Sequence, residues 1–294
     1  MYKYNIYGFN VLSEIILNCY VAEFEKEDIR IELDYSLKGF DNTYYHIEVE
    51  NNKYILNMAY GGLFEVIDGK EIKVCPYEDA PKRAIEMFLL NQCFAAILIQ
   101  KQNFPLHGAF VAKDEIGISI IGDPGAGKST LSAGLMKKGW KMVTDDIIRF
   151  VFDNDKPYGI PSFPSQKIWK STAEKLDIDI SSCDNIFYRL EKFFYEDYDS
   201  FINEKMQMKY IFEIVKSDTN EVKIRKMSKG KMLPVLIKNT YRYHLVDQSN
   251  LLKEHLNFMA KLSSNVQGYV IERPDGDFTI NEQIKLIEDL IEVG

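Results

Sequence analysis

A glycine-rich segment carries the clearest chemistry in this sequence of 294 residues. It reads Gly122-Asp123-Pro124-Gly125-Ala126-Gly127-Lys128-Ser129-Thr130 and matches the complete phosphate-loop pattern G-x-x-x-x-G-K-[ST]. The glycines let successive backbone N–H groups converge on phosphate oxygens, and the positive end of the following helix adds to the attraction. In this pattern the lysine contacts the β- and γ-phosphates and the serine ligates Mg²⁺. Lys128 and Ser129 therefore predict a site for ATP and Mg²⁺.

Two adjacent acids, Asp145 and Asp146, follow Lys128 by only 17 and 18 residues. They end the next predicted strand, and ligands of open α/β sheets collect outside the C-terminal ends of strands. Because neighbouring side chains project differently from a strand end, we expect Asp145 to take a proton from an attacking hydroxyl and Asp146 to face the metal. A solvated turn at the end of a strand is the alternative.

Two cations further along the chain are candidates for contacts with phosphate or with a substrate carboxylate. Lys167 lies between Pro164 and Trp169, and Arg242 follows Tyr241. An arginine can hold an oxyanion with two parallel hydrogen bonds. A surface salt bridge explains either residue equally well.

The periodicity of apolar residues indicates which elements position these side chains. Residues 1–78 alternate as β-strands do, and Asp68-Gly69 has the residue types of a tight hairpin turn. From Pro81 to about Lys101 the period is that of a helix. Thereafter strands and helices alternate around the glycine-rich loop, and a single helix is predicted over about residues 241–262. We predict an α/β protein in which a smaller β-rich domain, residues 1–78, precedes a P-loop catalytic domain, residues 79–294.

Composition excludes several classes of partner. The formal net charge of −8 disfavours nucleic acid as a ligand. The four cysteines form no C-x-x-C pair, the N-terminus lacks the apolar core of a signal peptide, and the longest apolar run, residues 93–99, is too short to cross a bilayer. We therefore expect a cytoplasmic protein that binds neither nucleic acid nor membrane.

The order of these motifs resembles a known family. His107-Gly108 opening a strand, then the glycine-rich loop, then Val143-Thr144-Asp145-Asp146, is similar to the catalytic domain of HPr kinase/phosphorylase, which transfers phosphate to a protein serine. The segments 159–169 and 239–242, together with the β-rich front part, resemble a narrower branch associated with lasso-peptide biosynthesis. Some members of that branch phosphorylate the C-terminal serine of a precursor peptide.

The resemblance implies an HPr-kinase-like P-loop fold, use of ATP and Mg²⁺, and a serine of a ribosomally made precursor peptide as the substrate. It also implies that His107 lies near the transferred phosphate, although an isolated histidine at the start of a strand is more often a structural residue. The Gly-rich, Arg-containing signature that follows the loop in HPr kinase/phosphorylase is missing, and Pro234 to Leu245 stand in its place. Recognition of HPr and phosphorolysis are therefore not expected.

Two other functions remain open on the sequence. One is a nucleotide-dependent regulatory or binding module with little transferase activity. The other is an ATP-dependent decarboxylase similar to phosphoenolpyruvate carboxykinase, although members of that class are much longer. The sequence leaves open whether the chain forms a homo-oligomer and whether the β-rich domain docks a substrate through an exposed strand edge.

Overall fold

Nineteen strands and eight α-helices make up the mixed α/β structure that a computed structural model describes over residues 1–37, 44–50, 52–187 and 190–293. The backbone divides into two compact units. Unit 1 comprises Met1–Pro105 with Tyr241–His255, and unit 2 comprises Leu106–Thr240 with Leu256–Gly294. The predicted boundary between residues 78 and 79 falls inside unit 1.

Unit 1 contains a seven-stranded sheet, which confirms that the N-terminal part of the chain is β-rich. The strand order is β1-β2-β3-β7-β6-β5-β4, with parallel pairs only at β2–β3 and β3–β7 among the described strands. Asp68 and Gly69 both have left-handed φ angles, 52° and 64°, as the Asp-Gly hairpin predicts. The strands are β1 (Tyr2–Ile6), β2 (Phe9–Ser13), β3 (Ile29–Leu33), β4 (His46–Glu50), β5 (Lys53–Met58), β6 (Gly62–Ile67) and β7 (Glu71–Pro76).

A long helical segment follows the sheet of unit 1 and packs against it. It consists of α1 (Lys82–Phe88), a π-helical turn (Leu89–Cys93) and α2 (Phe94–Gln100). The ring of Phe88 lies 6.2 Å from that of Phe64 in β6. By length and composition this helical segment could cross a membrane, but it is mostly buried within the protein, as the core helix of a globular protein is. The segment therefore belongs with the sheet that precedes it.

The single helix predicted over about residues 241–262 is wrong. Two helices occupy this stretch, α6 (Tyr243–Gln248) and α7 (Leu252–Asn265). Asn250 between them has a φ of 56°. A left-handed residue cannot continue a right-handed helix, and asparagine accepts this conformation more readily than most residues.

Unit 2 is built on a nine-stranded mixed sheet with helices packed against it. Its strands are β8 (Leu106–Lys113), β9 (Ile116–Gly122), β10 (Lys141–Thr144), β11 (Ile147–Ile148), β12 (Phe150–Asp153), β13 (Lys156–Gly159), β17 (Met206–Ser217), β18 (Lys223–Lys226) and β19 (Gln267–Pro274). A small separate sheet has the order β14-β16-β15, with β14 (Ser165–Trp169), β15 (Asn185–Phe187) and β16 (Leu190–Glu196). The other helices are α3 (Lys128–Lys137), α4 (Lys170–Leu176), α5 (Lys229–Lys238) and α8 (Ile280–Val293).

Strand directions in unit 2 bring the chemistry-bearing segments to one edge. Strand β8 is antiparallel to both β9 and β10, so β9 and β10 run the same way. Their C-terminal ends, Gly122 and Thr144, therefore lie at the same edge of the sheet. Strand β17 is parallel to β9 and to β19 on its other side. The glycine-rich loop and the acid pair follow these strand ends directly.

Helices α3 and α8 cover one face of this sheet with apolar side chains. Leu131 and Leu135 of α3 pack with Ile280 and Ile284 of α8 over the sheet residues. A Cβ at Gly134 would lie 2.6 Å from the Ile280 side chain, so this glycine lets the two helices approach closely. The packing holds the start of α3 firmly beside the loop.

Candidate active site

The glycine-rich loop has the backbone of an anion-binding turn. Gly122, Gly125 and Gly127 have φ angles of 143°, 77° and 110°, which other residues adopt at a cost. A Cβ at Gly122 would lie 2.6 Å from the carbonyl oxygen of Ile214, whereas a Cβ at Gly125 would meet nothing within 4 Å. The loop is thus packed tightly at its base and open at its tip, and α3 begins immediately afterwards at Lys128.

Three distant side chains fix the loop from outside. The backbone N–H of Gly122 donates to Oδ1 of Asn239 at 3.0 Å, and Asn239 is buried. Nζ of Lys238 lies 2.8 Å from a carboxylate oxygen of Asp123. Nε of Arg273 donates to the carbonyl of Ala126 at 2.9 Å. These contacts connect the loop to the end of α5 and to β19, and the sequence did not predict them.

Lys128 turns back over the loop that precedes it. Its ammonium donates to the carbonyl oxygens of Gly122 and Asp123 at 2.9 and 3.3 Å. Burial lowers the pKa of Lys128, and the nearby carboxylates of Asp146, Asp145 and Asp123 oppose that shift. Lys128 thus lies against its own loop, and its predicted contact with the phosphates stays a prediction.

The two acids differ sharply in environment. Asp145 is buried, and its Oδ2 accepts a hydrogen bond from the backbone N–H of Lys167 at 3.0 Å. Burial, reinforced by the negative charge of Asp146, raises the pKa of Asp145 above its ordinary value. This is the direction that suits a general base, because a raised pKa gives a stronger proton acceptor.

Asp146 has two partners, Lys167 and His107, that favour its ionised form. Burial alone would raise its pKa, but Lys167 and His107 outweigh burial, so the pKa of Asp146 lies well below its ordinary value. Nζ of Lys167 is 2.7 Å from Oδ2, and Nε2 of His107 is 3.4 Å from Oδ1. The structure thus brings together the predicted His107, Lys167 and Asp146.

A strained turn gives the two carboxylates their different directions. Asp146 has a φ of 70°, and the N–H of Ile147 donates to the carbonyl of Asp145 at 2.9 Å, which closes a three-residue turn. Strand β11 then pairs with the start of β8, so Ile147 lies opposite His107. Backbone strain of this kind persists where the surrounding structure holds it, and it clusters at functional sites.

One cavity of about 450 Å³ joins these groups. Within unit 2 the predicted residues on its wall include both acids, His107, Lys128, Ser129 and Thr130. The other predicted residues of unit 2, Gly122, Asp123, Ala126 and Lys167, do not line it. Arg242 belongs to unit 1, where its guanidinium carbon lies 5.5 Å from the centre of the Tyr241 ring. Its predicted contact with a substrate stays a prediction.

Two side chains on the cavity wall were missing from the sequence prediction, those of Trp169 and Lys192. They face each other as direct partners of β14 and β16, with Nζ of Lys192 5.3 Å from the centre of a Trp169 ring. Burial and the charge of Lys167 lower the pKa of Lys192. Trp169 stands in the segment 159–169 that supported the resemblance, but Lys192 lies in an aromatic-rich stretch without clear periodicity. No local signal marks it.

The donor set fits a magnesium ion that arrives with a nucleotide. Among the described residues, no group of three or more His, Cys, Asp or Glu side chains could hold a metal by itself. Mg²⁺ keeps several waters and binds through one or two protein oxygens plus substrate phosphates. Ser129 and Asp146 line the same cavity and supply oxygen atoms of this kind.

Comparison with known proteins gives little further information. No protein-family model matches the chain, and no curated protein matches it. One solved structure that does match is the Hpr(Ser) kinase/phosphatase from Coxiella burnetii, with 16% sequence identity and a TM-score of 0.34. The match covers 64% of this chain and 93% of that chain.

Proposed function

We propose that this chain is an ATP-dependent kinase that transfers the γ-phosphate to a serine hydroxyl of a peptide or protein. The observation that supports it is a single cavity lined by a glycine-rich loop, a buried acid whose pKa is raised and an ionised acid. A nucleotide-binding site needs only the loop. A transferase also needs a proton acceptor beside the phosphate, and Asp145 supplies one.

In the proposed reaction Asp145 takes the proton of the serine hydroxyl. The serine oxygen forms a bond to the γ-phosphorus, and the bond from that phosphorus to the β–γ bridging oxygen breaks. ADP leaves with the electron pair of the broken bond. Phosphoryl transfer asks the protein chiefly for positioning and for neutralisation of charge.

The cations of the cavity serve that neutralisation. Lys128 belongs to the loop, whereas Lys192 comes from β16, and both line the cavity. When bound, Mg²⁺ neutralises phosphate charge, and Ser129 and Asp146 would hold it. The ion pair with Lys167 and the hydrogen bond with His107 keep the Asp146 carboxylate ionised and oriented.

For the substrate, we propose the C-terminal serine of a lasso precursor peptide, because the segments 159–169 and 239–242 resemble the kinases of that branch. Trp169 is 43% exposed beside the cavity and offers an apolar surface to the residue that precedes the serine. The sheet of unit 1 ends at β4, which could take an extended peptide as an added strand, whereas the other terminal strand, β1, is already hydrogen-bonded to residues 20–22. We place the reaction in the cytoplasm, where such precursors are made.

The test is mass spectrometry of peptides after incubation with the protein, ATP and Mg²⁺. One peptide ends in serine, a second has that serine moved to its interior, and a third ends in alanine. We expect one added phosphate on the first peptide, and none with the Asp145→Asn protein. ATP binding or hydrolysis without any phosphopeptide would contradict the proposal and favour a nucleotide-dependent regulatory module.

A further inference from the structure

A second cavity adjoins the first along the glycine-rich loop. Its volume is about 260 Å³, and Gly125, Gly127 and Thr130 line both cavities. The rest of its wall comes from α4, from Lys216 of β17, from the segment 273–280 and from α8. A ligand whose phosphates lie on the loop can therefore extend from one cavity into the other.

Each cavity contains an exposed aromatic ring. The first holds Trp169 together with the acid pair and two lysines, whereas the second holds Phe278, which is 38% exposed. Nζ of Lys175 lies 4.8 Å from the centre of that ring. An exposed aromatic ring can stack against any nucleobase, because every base has a flat π-face. Asp275 and Asp277 also line the cavity and can accept hydrogen bonds from sugar hydroxyls.

A buried amide on the wall of the second cavity points independently to a ligand. Gln283 is only 1% exposed, and its Nε2 donates to Oγ1 of Thr279 at 3.1 Å. Its Oε1 is buried and has no hydrogen-bond partner among the described residues. Exchanging the two ends of the amide would leave the other end unpaired instead. A buried polar atom without a partner is costly, and a polar group of a bound ligand would relieve that cost.

From the ring, the carboxylates and the unpaired amide, we infer that the second cavity binds the base and ribose of the nucleoside triphosphate whose phosphates lie on the loop. This inference rests on the proposed function, since it assumes that the loop binds a nucleotide. The γ-phosphate would then lie in the first cavity, which Asp145 lines, and the chain of phosphates would pass Thr130, which lines both cavities. Arg273 lines the second cavity and holds the Ala126 carbonyl, so it connects the nucleoside site to the loop.

The experiment compares two ligands that share the phosphates and differ in the nucleoside. Calorimetry measures the affinity for ATP and for tripolyphosphate, each with Mg²⁺, in the full chain. Phe278→Ala should weaken ATP binding by roughly 5- to 100-fold, the effect of one lost base–aromatic stack, and leave tripolyphosphate binding unchanged. Phe278→Trp should restore ATP binding. Tyr198→Ala, which removes another exposed ring of unit 2 that lines neither cavity, should change neither affinity.

Gln283→Met provides a second variant of similar size, and it too should weaken ATP selectively. The inference is overturned if Phe278→Ala and Gln283→Met leave ATP affinity unchanged, or if they weaken both ligands equally. Lys128→Ala separates this failure from failure of the proposed function. Lys128→Ala should weaken the binding of both ATP and tripolyphosphate. If it weakens the binding of neither, the loop is not the phosphate site and the proposed function is wrong as well.

Discussion

Removing the Lys167–Asp146 ion pair should destabilise the fold more than removing an exposed pair of almost the same length. Nζ of Lys167 lies 2.7 Å from Asp146, and the two side chains are 18% and 24% exposed. Nζ of Lys205 lies 2.9 Å from Asp153, where the side chains are 52% and 48% exposed. Lys167→Met and Lys205→Met therefore remove the same charge at nearly the same distance and differ in burial.

Burial sets the expected magnitude. Exposed ion pairs contribute up to about 1 kcal/mol, because water screens the charges and both side chains lose freedom. Breaking a fully buried pair costs about 3–5 kcal/mol, because the remaining charge is left without a partner. Lys167→Met leaves Asp146 mostly buried, with His107 at 3.4 Å as its other partner. We expect a loss of about 2 kcal/mol for Lys167→Met, between these two limits, and at most about 1 kcal/mol for Lys205→Met.

The assay is urea unfolding at pH 7 for two double-mutant cycles, one with Lys167→Met and Asp146→Asn and one with Lys205→Met and Asp153→Asn. The folded-state pKa of Asp146 is depressed, so its stabilisation is complete above the unfolded value of about 3.9 and disappears as pH falls through the folded value. Equal coupling energies in the two cycles would refute the reasoning. So would a Lys167–Asp146 coupling that grows as the pH is lowered below 4.

The other predictions concern activity and the limits of unit 1. Lys128→Ala should abolish phosphoryl transfer with little change in the unfolding midpoint, because the hydrogen bonds of its ammonium go to loop carbonyls; normal turnover would show that the loop takes no part in the reaction. Asp145→Asn should lower turnover by roughly 10²- to 10⁴-fold while calorimetry still detects ATP binding, and an unchanged rate would make the acid structural. Because Asp146 raises the pKa of Asp145, the loss of activity at low pH should move to lower pH in Asp146→Asn, which should also change the Mg²⁺ requirement; a shift to higher pH would contradict the assigned roles. A chain beginning at Glu78 should aggregate, since it lacks the sheet that covers Phe88, and a soluble product with full ATP affinity would contradict this packing.

Features that depend on neighbouring residues could be predicted from the sequence. The glycine-rich loop, the start of α3 and the strand that ends in Asp145 follow from local spacing and periodicity. Gly139 after α3 has a left-handed φ of 88°, which glycine favours at the end of a helix. Each of these features requires only that a short segment adopt the conformation its own residues favour.

Features that depend on contacts between distant residues could not be predicted from the sequence. Asn239 and Arg273 hold the loop from 117 and 147 residues further along the chain. Helix α5 was missed because Pro234 lies in its interior, where proline normally breaks a helix. Strand β19 was missed as well, although it completes the parallel part of the sheet; a Cβ at its Gly268 would lie 2.4 Å from the sulfur of Met232 in α5. Tertiary packing decides these elements.

Unit 1 is discontinuous along the chain, and this has a consequence for its synthesis on the ribosome. Residues 241–255 complete the unit, with Ser249 bonded to the buried Tyr54 hydroxyl and His255 5.1 Å from the Phe104 ring. All of residues 106–240 must be translated before that segment emerges. At about 5–20 residues per second, the first 105 residues wait roughly 7–27 s for their last partners. During that interval the nascent N-terminal part exposes apolar surface, and it is the stage at which we expect chaperones to bind this chain.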